Sequence, residues 1–252
     1  MFAQANLQPP KTFDEFLIAA KALTKDGMHG FGMRGGAGGH DHWGPFVLGG
    51  GASFEKGGMV SEKALAANRW FVALNREHKV FPPSAPTDSF RQIVDAFKQG
   101  RTAMTIHHVG SSTELVEALG DRVGATPVPR GPEGKGWTYF GDESHGIFAG
   151  SRNKEAAFRW ISWLATGEAN AALNRLTGQL PVAQAAAANW TGHQKRFVEA
   201  SLASLPIAAS LPDHPKTPDF IRTVWPTNMQ RALLGQIEPD AMMQAIEKTF
   251  HG

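Results

Sequence analysis

Helix-start signals recur along this chain with short apolar runs between them, and that alternation constrains the fold more than any other feature. Thr12 caps a first helix, Glu15 reaches back from three residues on, and Phe13, Phe16, Leu17 and Ala20 share one face. A second helix starts after Ser61 and buries Leu65, Phe71 and Leu74. In the third, Thr87 is the cap, Phe90, Ile93, Val94 and Phe97 form the stripe, and Gly100 is the stop. Residues 30–33, "RTAMTIHH", "VGATPVP" and "SHGIFAG" read as strands, and "SSTELVEALG" as a short helix. Asn153 caps a helix to about Leu164, and another runs from near Gly167 to Gly178. The last third is helical: about 193–205, then from Thr217 with Pro218 in its first turn, then from Pro239 to Phe250. The order predicts an α/β architecture rich in helix.

With 252 residues, 42% of them hydrophobic, the chain has material for one large domain or two modest ones. Lys+Arg 25 against Asp+Glu 23 leaves a net charge of +2 and no basic stripe, which argues against nucleic acid as a partner. No apolar run approaches the length of a bilayer span. Residues 1–20 lack the charged start, apolar core and cleavage site of a secretory signal, so the chain as written reads as cytoplasmic. Zero cysteines exclude disulfides and thiolate metal sites.

Candidate chemistry is sparse. His40-Asp41-His42 with His107, His108 and His145 has the ligand types zinc takes. The spacing fixes no geometry, because adjacent His107 and His108 point to opposite faces of a strand. Neither a metal nor a cofactor is expected. The glycines at 35–39 mark a loop that turns sharply or admits something to its backbone, but no Gly-Lys-Ser/Thr follows, as a nucleotide cradle requires. Ser144-His145 beside Asp142 and Glu143 lacks a nucleophile elbow, and the two carboxylates alternate sides if extended. The aromatics point further. Trp43 lies in a glycine-rich polar stretch and Trp225 precedes Pro226, so both are candidates for the wall of a binding site. An indole face suits a pyranose ring, with Asp41, His107, Asp142 and Glu143 as hydroxyl partners. Trp160 and Trp163, inside a periodic helix, read as packing.

Taken in order, "PPKTFDEFLIAAKALTKDG", "GRTAMTI", "PVPRGPEG", "FAGSRNKEAAFRWISWLATGEANAAL" and "TGQLPV" resemble the carbohydrate-binding receptors of bacterial ABC importers. That extracellular solute-binding family includes maltose-binding protein. The resemblance implies a type II periplasmic-binding-protein-like fold, represented mainly by its second, C-terminal lobe. Residues 1–140 and 182–252 would belong to that lobe, and 141–181 to the crossings and a remnant of the first. Such receptors close around a sugar or polyol, deliver it to a membrane permease in the periplasm or outside the cell, and are not enzymes. By the resemblance, His40, Asp41 and Trp43 match the loop before "GGGASF" and Trp225 a late cleft tryptophan. His107 and His108 stand where the family often carries a tryptophan. The family also carries a signal peptide and much of a first lobe before "PPKT", so the chain reads as a fragment. Its residues 147–177, left without that lobe's sheet, would form a homodimer. Two other readings stand beside this one: a carbohydrate hydrolase using Asp142 or Glu143, and a remnant kept for protein interaction.

Overall fold

The first helix begins as its sequence dictates. The Thr12 side chain accepts from the Glu15 amide at 3.2 Å, and the Glu15 carboxylate accepts from the Lys11 amide at 2.6 Å. The computed structural model describes residues 1–141, 144–182 and 195–252. Two units are distinguished. The larger comprises Met1–His107, Thr126–Phe140 and Ser204–Gly252, and the smaller His108–Ala125 and Gly141–Ala203.

In the larger unit, α1 (Phe13–Leu23) leads into β1 (His29–Gly32), α2 (His40–Val47), α3 (Glu62–Arg76), α4 (Phe90–Lys98) and β2 (Thr102–Thr105). Strands β1 and β2 pair in parallel, with His29 opposite Thr102 and Phe31 opposite Met104. Ser61 caps α3 by accepting from the Ala64 amide at 3.3 Å. The α4 cap is Ser89 rather than Thr87, because Gln92 completes a reciprocal box by accepting from the Ser89 amide at 2.8 Å. A second parallel pair joins β3 (Thr138–Tyr139) to β4 (Ala208–Ala209). One helical turn (Thr217–Asp219) and a π-helical run (Phe220–Val224) continue into α9 (Trp225–Leu233), and α10 (Pro239–His251) follows.

Two sequence expectations fail in this unit. Trp43 lies in no loop: α2 starts at His40, directly after the glycines, despite Gly44 and Pro45 inside it. Burial of Trp43, Phe46 and Val47 outweighs the roughly 1–3 kcal/mol that each breaker costs a helix. Residues 123–129 form no strand either. The core centres on Phe46, whose ring meets those of Phe13, Phe16, Phe31, Trp70 and Phe71 at centroid distances of 4.8 to 6.1 Å. Burying one such side chain contributes about 1.5–3 kcal/mol.

In the smaller unit, α5 (Ser112–Leu119), α6 (Lys154–Leu164), α7 (Gly167–Thr177) and α8 (Lys195–Ser204) are described. Gly178 ends α7 in the left-handed region at φ 71°, as the stop at this position requires. Asn170 is buried and its side-chain oxygen accepts from the Val182 amide at 3.0 Å. Residues 144–150 form no strand. Helix α6 buries none of its residues: Trp160 and Trp163 stack at 5.1 Å, 59% and 52% exposed, so neither packs into a core. No described helix is long and apolar enough to cross a membrane.

One buried amide joins three helices of the larger unit. On α3, Asn68 accepts from Trp43 Nε1 of α2 at 2.9 Å and donates to the Pro239 carbonyl at the start of α10 at 2.8 Å. Asn68→Ala would leave a buried donor and a buried acceptor unpaired and open a small cavity. The expected cost is about 2–4 kcal/mol, read as a lower urea midpoint at unchanged slope.

Candidate functional site

Beyond the C-terminal ends of β1 and β2 the chain leaves the sheet through Arg34 and five residues rich in glycine. A Cβ at Gly38, where φ is +82°, would run into the Arg34 guanidinium. At Gly39 it would run into the Arg34 carbonyl and come within 2.8 Å of the Trp225 ring. The glycines are therefore needed for the loop to wrap Arg34 and for α2 to start against Trp225.

Four side chains meet there with polar capacity unspent. The buried His40 Nε2 lies 3.1 Å from Asp41 Oδ1, but at an angle that makes no hydrogen bond. Arg34 Nε, His40 Nδ1, Asp41 Oδ1 and Trp225 Nε1 are all buried without a hydrogen-bond partner. Unpaired groups of this kind are rare in folded proteins, and here four of them gather beyond the strand ends. The His40 ring meets Tyr139 edge-on at 5.8 Å and Trp225 at 6.2 Å. Tyr139 is 39% exposed and presents the accessible ring of the group. Arg34 also lies over Phe90 at 5.8 Å, and Phe90 meets His107 at 4.4 Å.

Charge states follow from burial. Desolvation pushes the Asp41 carboxyl up to about 6, partly offset by the nearby Arg34. Burial, reinforced by Arg34, holds His40 down at about 4. His42 is held at about 3, chiefly by burial and then by His107 and Arg34, and its neutral Nδ1 accepts from the Arg34 amide at 3.3 Å. At neutral pH the site thus presents a cation, a carboxylate and a neutral imidazole.

Trp43 and Trp225 do not form an open wall. Each is 0% exposed, and their rings pack at 6.4 Å in the hydrophobic core. Trp225 opens α9, where Pro226 occupies a first-turn position that needs no amide donor, so the X-Pro pair does not break the helix as the sequence suggests. His40 and Asp41 fall in the site. His107 lies beside it through Phe90, and His108 belongs to the smaller unit, where its ring nitrogen lies 3.4 Å from Ser111 Oγ. Asp142 and Glu143 lie outside the described residues. Among the described residues no three His, Asp or Glu side chains are grouped to hold a metal. Sequence reasoning missed Arg34 and Tyr139. The available signals were a lone cation abutting the glycine run and the chain's single tyrosine.

A parallel α/β unit with polar groups gathered beyond its strand ends is the architecture of a small-molecule receptor lobe. The model of the bacterial extracellular solute-binding protein family matches residues 1–171, and the chain belongs to that family. Binding proteins from Brucella abortus (strain 2308) and Brucella suis biovar 1 (strain 1330) are each 27% identical over 188 residues, which is 74% of this chain and 45% of the relative. The chain therefore spans less than half of these relatives. Among solved structures, an ABC transporter solute-binding protein from Thermotoga lettingae TMO, bound with α-D-tagatose, superposes at a TM-score of 0.86. It is 23% identical, and the match covers 99% of this chain and 68% of that one. The maltose-bound MalE3 of T. maritima superposes at 0.84 with 22% identity, covering 96% and 65%. The fold is that of the type II periplasmic binding proteins.

The titrations have opposite signs. His40 and His42, depressed from 6.5, contribute stability that is full above that value and is lost as pH falls toward 4 and 3. Asp41, raised from 3.8 to about 6, destabilises when ionised, so its protonation between those values offsets part of the loss. Thermal melts at pH 7, 5.5 and 4.5 should show declining stability, with a steeper decline in Asp41→Asn, which lacks the offset.

Proposed function

We propose that this chain binds a sugar or polyol and is the ligand-recognition part of an ABC-type uptake system, without enzymatic turnover. The observation that carries the reading is the cluster of buried, unpaired polar atoms on Arg34, His40, Asp41 and Trp225 beside an accessible Tyr139 ring. A vicinal diol suits such a set: a guanidinium and an indole N–H donate, a carboxylate accepts, and the phenol ring stacks on ring C–H groups. The tagatose and maltose held by the two solved relatives support this choice of ligand class. Trp43 acts here as support for the floor, and His107 through Phe90.

In the two-lobed receptor plan a sugar is gripped from both sides and closure adds contacts, so one wall alone binds weakly. Calorimetry against maltose and tagatose should give affinities weaker than micromolar for these residues. Arg34→Met and Tyr139→Ala should each weaken binding about tenfold, in line with 1–3 kcal/mol for an anchoring contact. Sub-micromolar binding, or unchanged affinity in both variants, would contradict the reading.

The apolar surface of 147–177 is read as a self-association face, because Phe148 is 88% exposed and Phe158, Trp160 and Trp163 are all more than half exposed. Light scattering at micromolar concentration should give a dimer mass, and Trp160→Glu with Trp163→Glu should return it to a monomer. A monomer that also fails to bind a hydrophobic dye would remove this proposal.

A further inference from the structure

The buried polar atoms without partners in the larger unit do not all gather at one place. His29 Nδ1 and Thr102 Oγ1 are also buried and unpaired, and they belong to the paired residues that open β1 and β2, at the end opposite Arg34. Both residues line a cavity of about 460 Å³ formed with the 82–88 loop, one face of α4 and Arg101. Thr102 is 1% exposed, so its hydroxyl has no access to bulk water from the outer surface.

Three charged residues line the cavity: Asp95 is paired with Arg91 and Lys98 of its own helix, which leaves Asp88 and Arg101. Asp88 is 4% exposed, and Ser84 Oγ donates to its Oδ2 at 2.9 Å, the one hydrogen bond its carboxylate receives among the described residues. Burial raises its pKa, and Ser84 and Arg101 oppose the rise. Arg101 thus lies close enough to be felt by Asp88, yet among the described residues its guanidinium makes neither an ion pair nor a hydrogen bond. A buried carboxylate with spare lone pairs beside a guanidinium that reaches the same space suits a solute bearing both charges. A neutral sugar leaves the buried Asp88 carboxylate without a counter-ion.

We propose that this cavity binds a small zwitterion of the α-amino-acid type, with its carboxylate on Arg101 and its ammonium group on Asp88. The Thr102 hydroxyl and His29 Nδ1 supply the remaining hydrogen bonds. The site is separate from the one at the other end of the strands and does not depend on the sugar reading.

The test is an NMR titration of the full ¹⁵N-labelled chain with L-glutamine. Saturable shifts should concentrate on the amides of His29, Gln99, Arg101 and Thr102. N-acetyl-L-glutamine and L-glutamine amide, each lacking one charge, should bind at least tenfold more weakly. Arg101→Met and Asp88→Asn should weaken L-glutamine binding by the same factor. Arg101 is exposed, so its variant decides the matter if Asp88→Asn disturbs the loop. Maltose at the same concentration should leave these four amides in place. Absence of saturable shifts, or equal binding of the blocked derivatives, would show that the cavity holds solvent alone and overturn the proposal.

Discussion

Asn68 is the pin on which the arrangement of the larger unit turns. Its buried amide spends both ends on other helices, accepting from the Trp43 indole and donating to the carbonyl at the start of α10. The hydrophobic contacts around Phe46 supply more energy but little direction. A buried amide with two fixed partners tolerates one mutual placement of α2, α3 and α10, because any other leaves polar groups stranded. Placing α2 places its first residues, His40 and Asp41, and the glycine loop that must close over Arg34. His40 and Asp41 thus stand on a helix start whose position the core dictates.

That site carries an energetic cost which the core has to cover. An ionised Asp41 held at a raised pKa, the unpaired Nδ1 of His40 and an indole N–H without an acceptor each lower the stability of the ligand-free protein. A ligand that pairs with them recovers that energy on binding. Trp43 and Trp225 fit this division of labour as the floor under the polar groups, whereas Tyr139 offers a ring to the outside.

What could be read from the sequence was local. Thr12, Ser61 and Gly178 act where capping chemistry places them, since each effect is confined to one helical turn. Helix α2 escaped because Gly44 and Pro45 lower its intrinsic propensity, and only long-range burial makes it a helix. Trp225 departs from its sequence reading as a binding-wall residue for a related reason: a residue before a proline is an uncommon core position, while the structure uses that proline in a first turn. The two-residue strands β3 and β4 are too short for any periodicity to show, yet they bring Tyr139 to the site. Arg34 gives no pattern of its own. Its role emerges from the glycines that must be small for it to fit. The ordered resemblance to solute-binding receptors supplied the family without these details.

The central claim is that sugar recognition sits beyond the C-terminal ends of β1 and β2, on Arg34, Asp41 and Tyr139 over buried indoles. A crystal structure of this chain with maltose or tagatose at millimolar concentration tests it most directly. The account predicts sugar hydroxyls within hydrogen-bonding distance of Arg34 and Asp41, a ring face against Tyr139, and Trp43 and Trp225 still enclosed. Sugar bound elsewhere on the chain, or against either tryptophan swung out of the core, would contradict it.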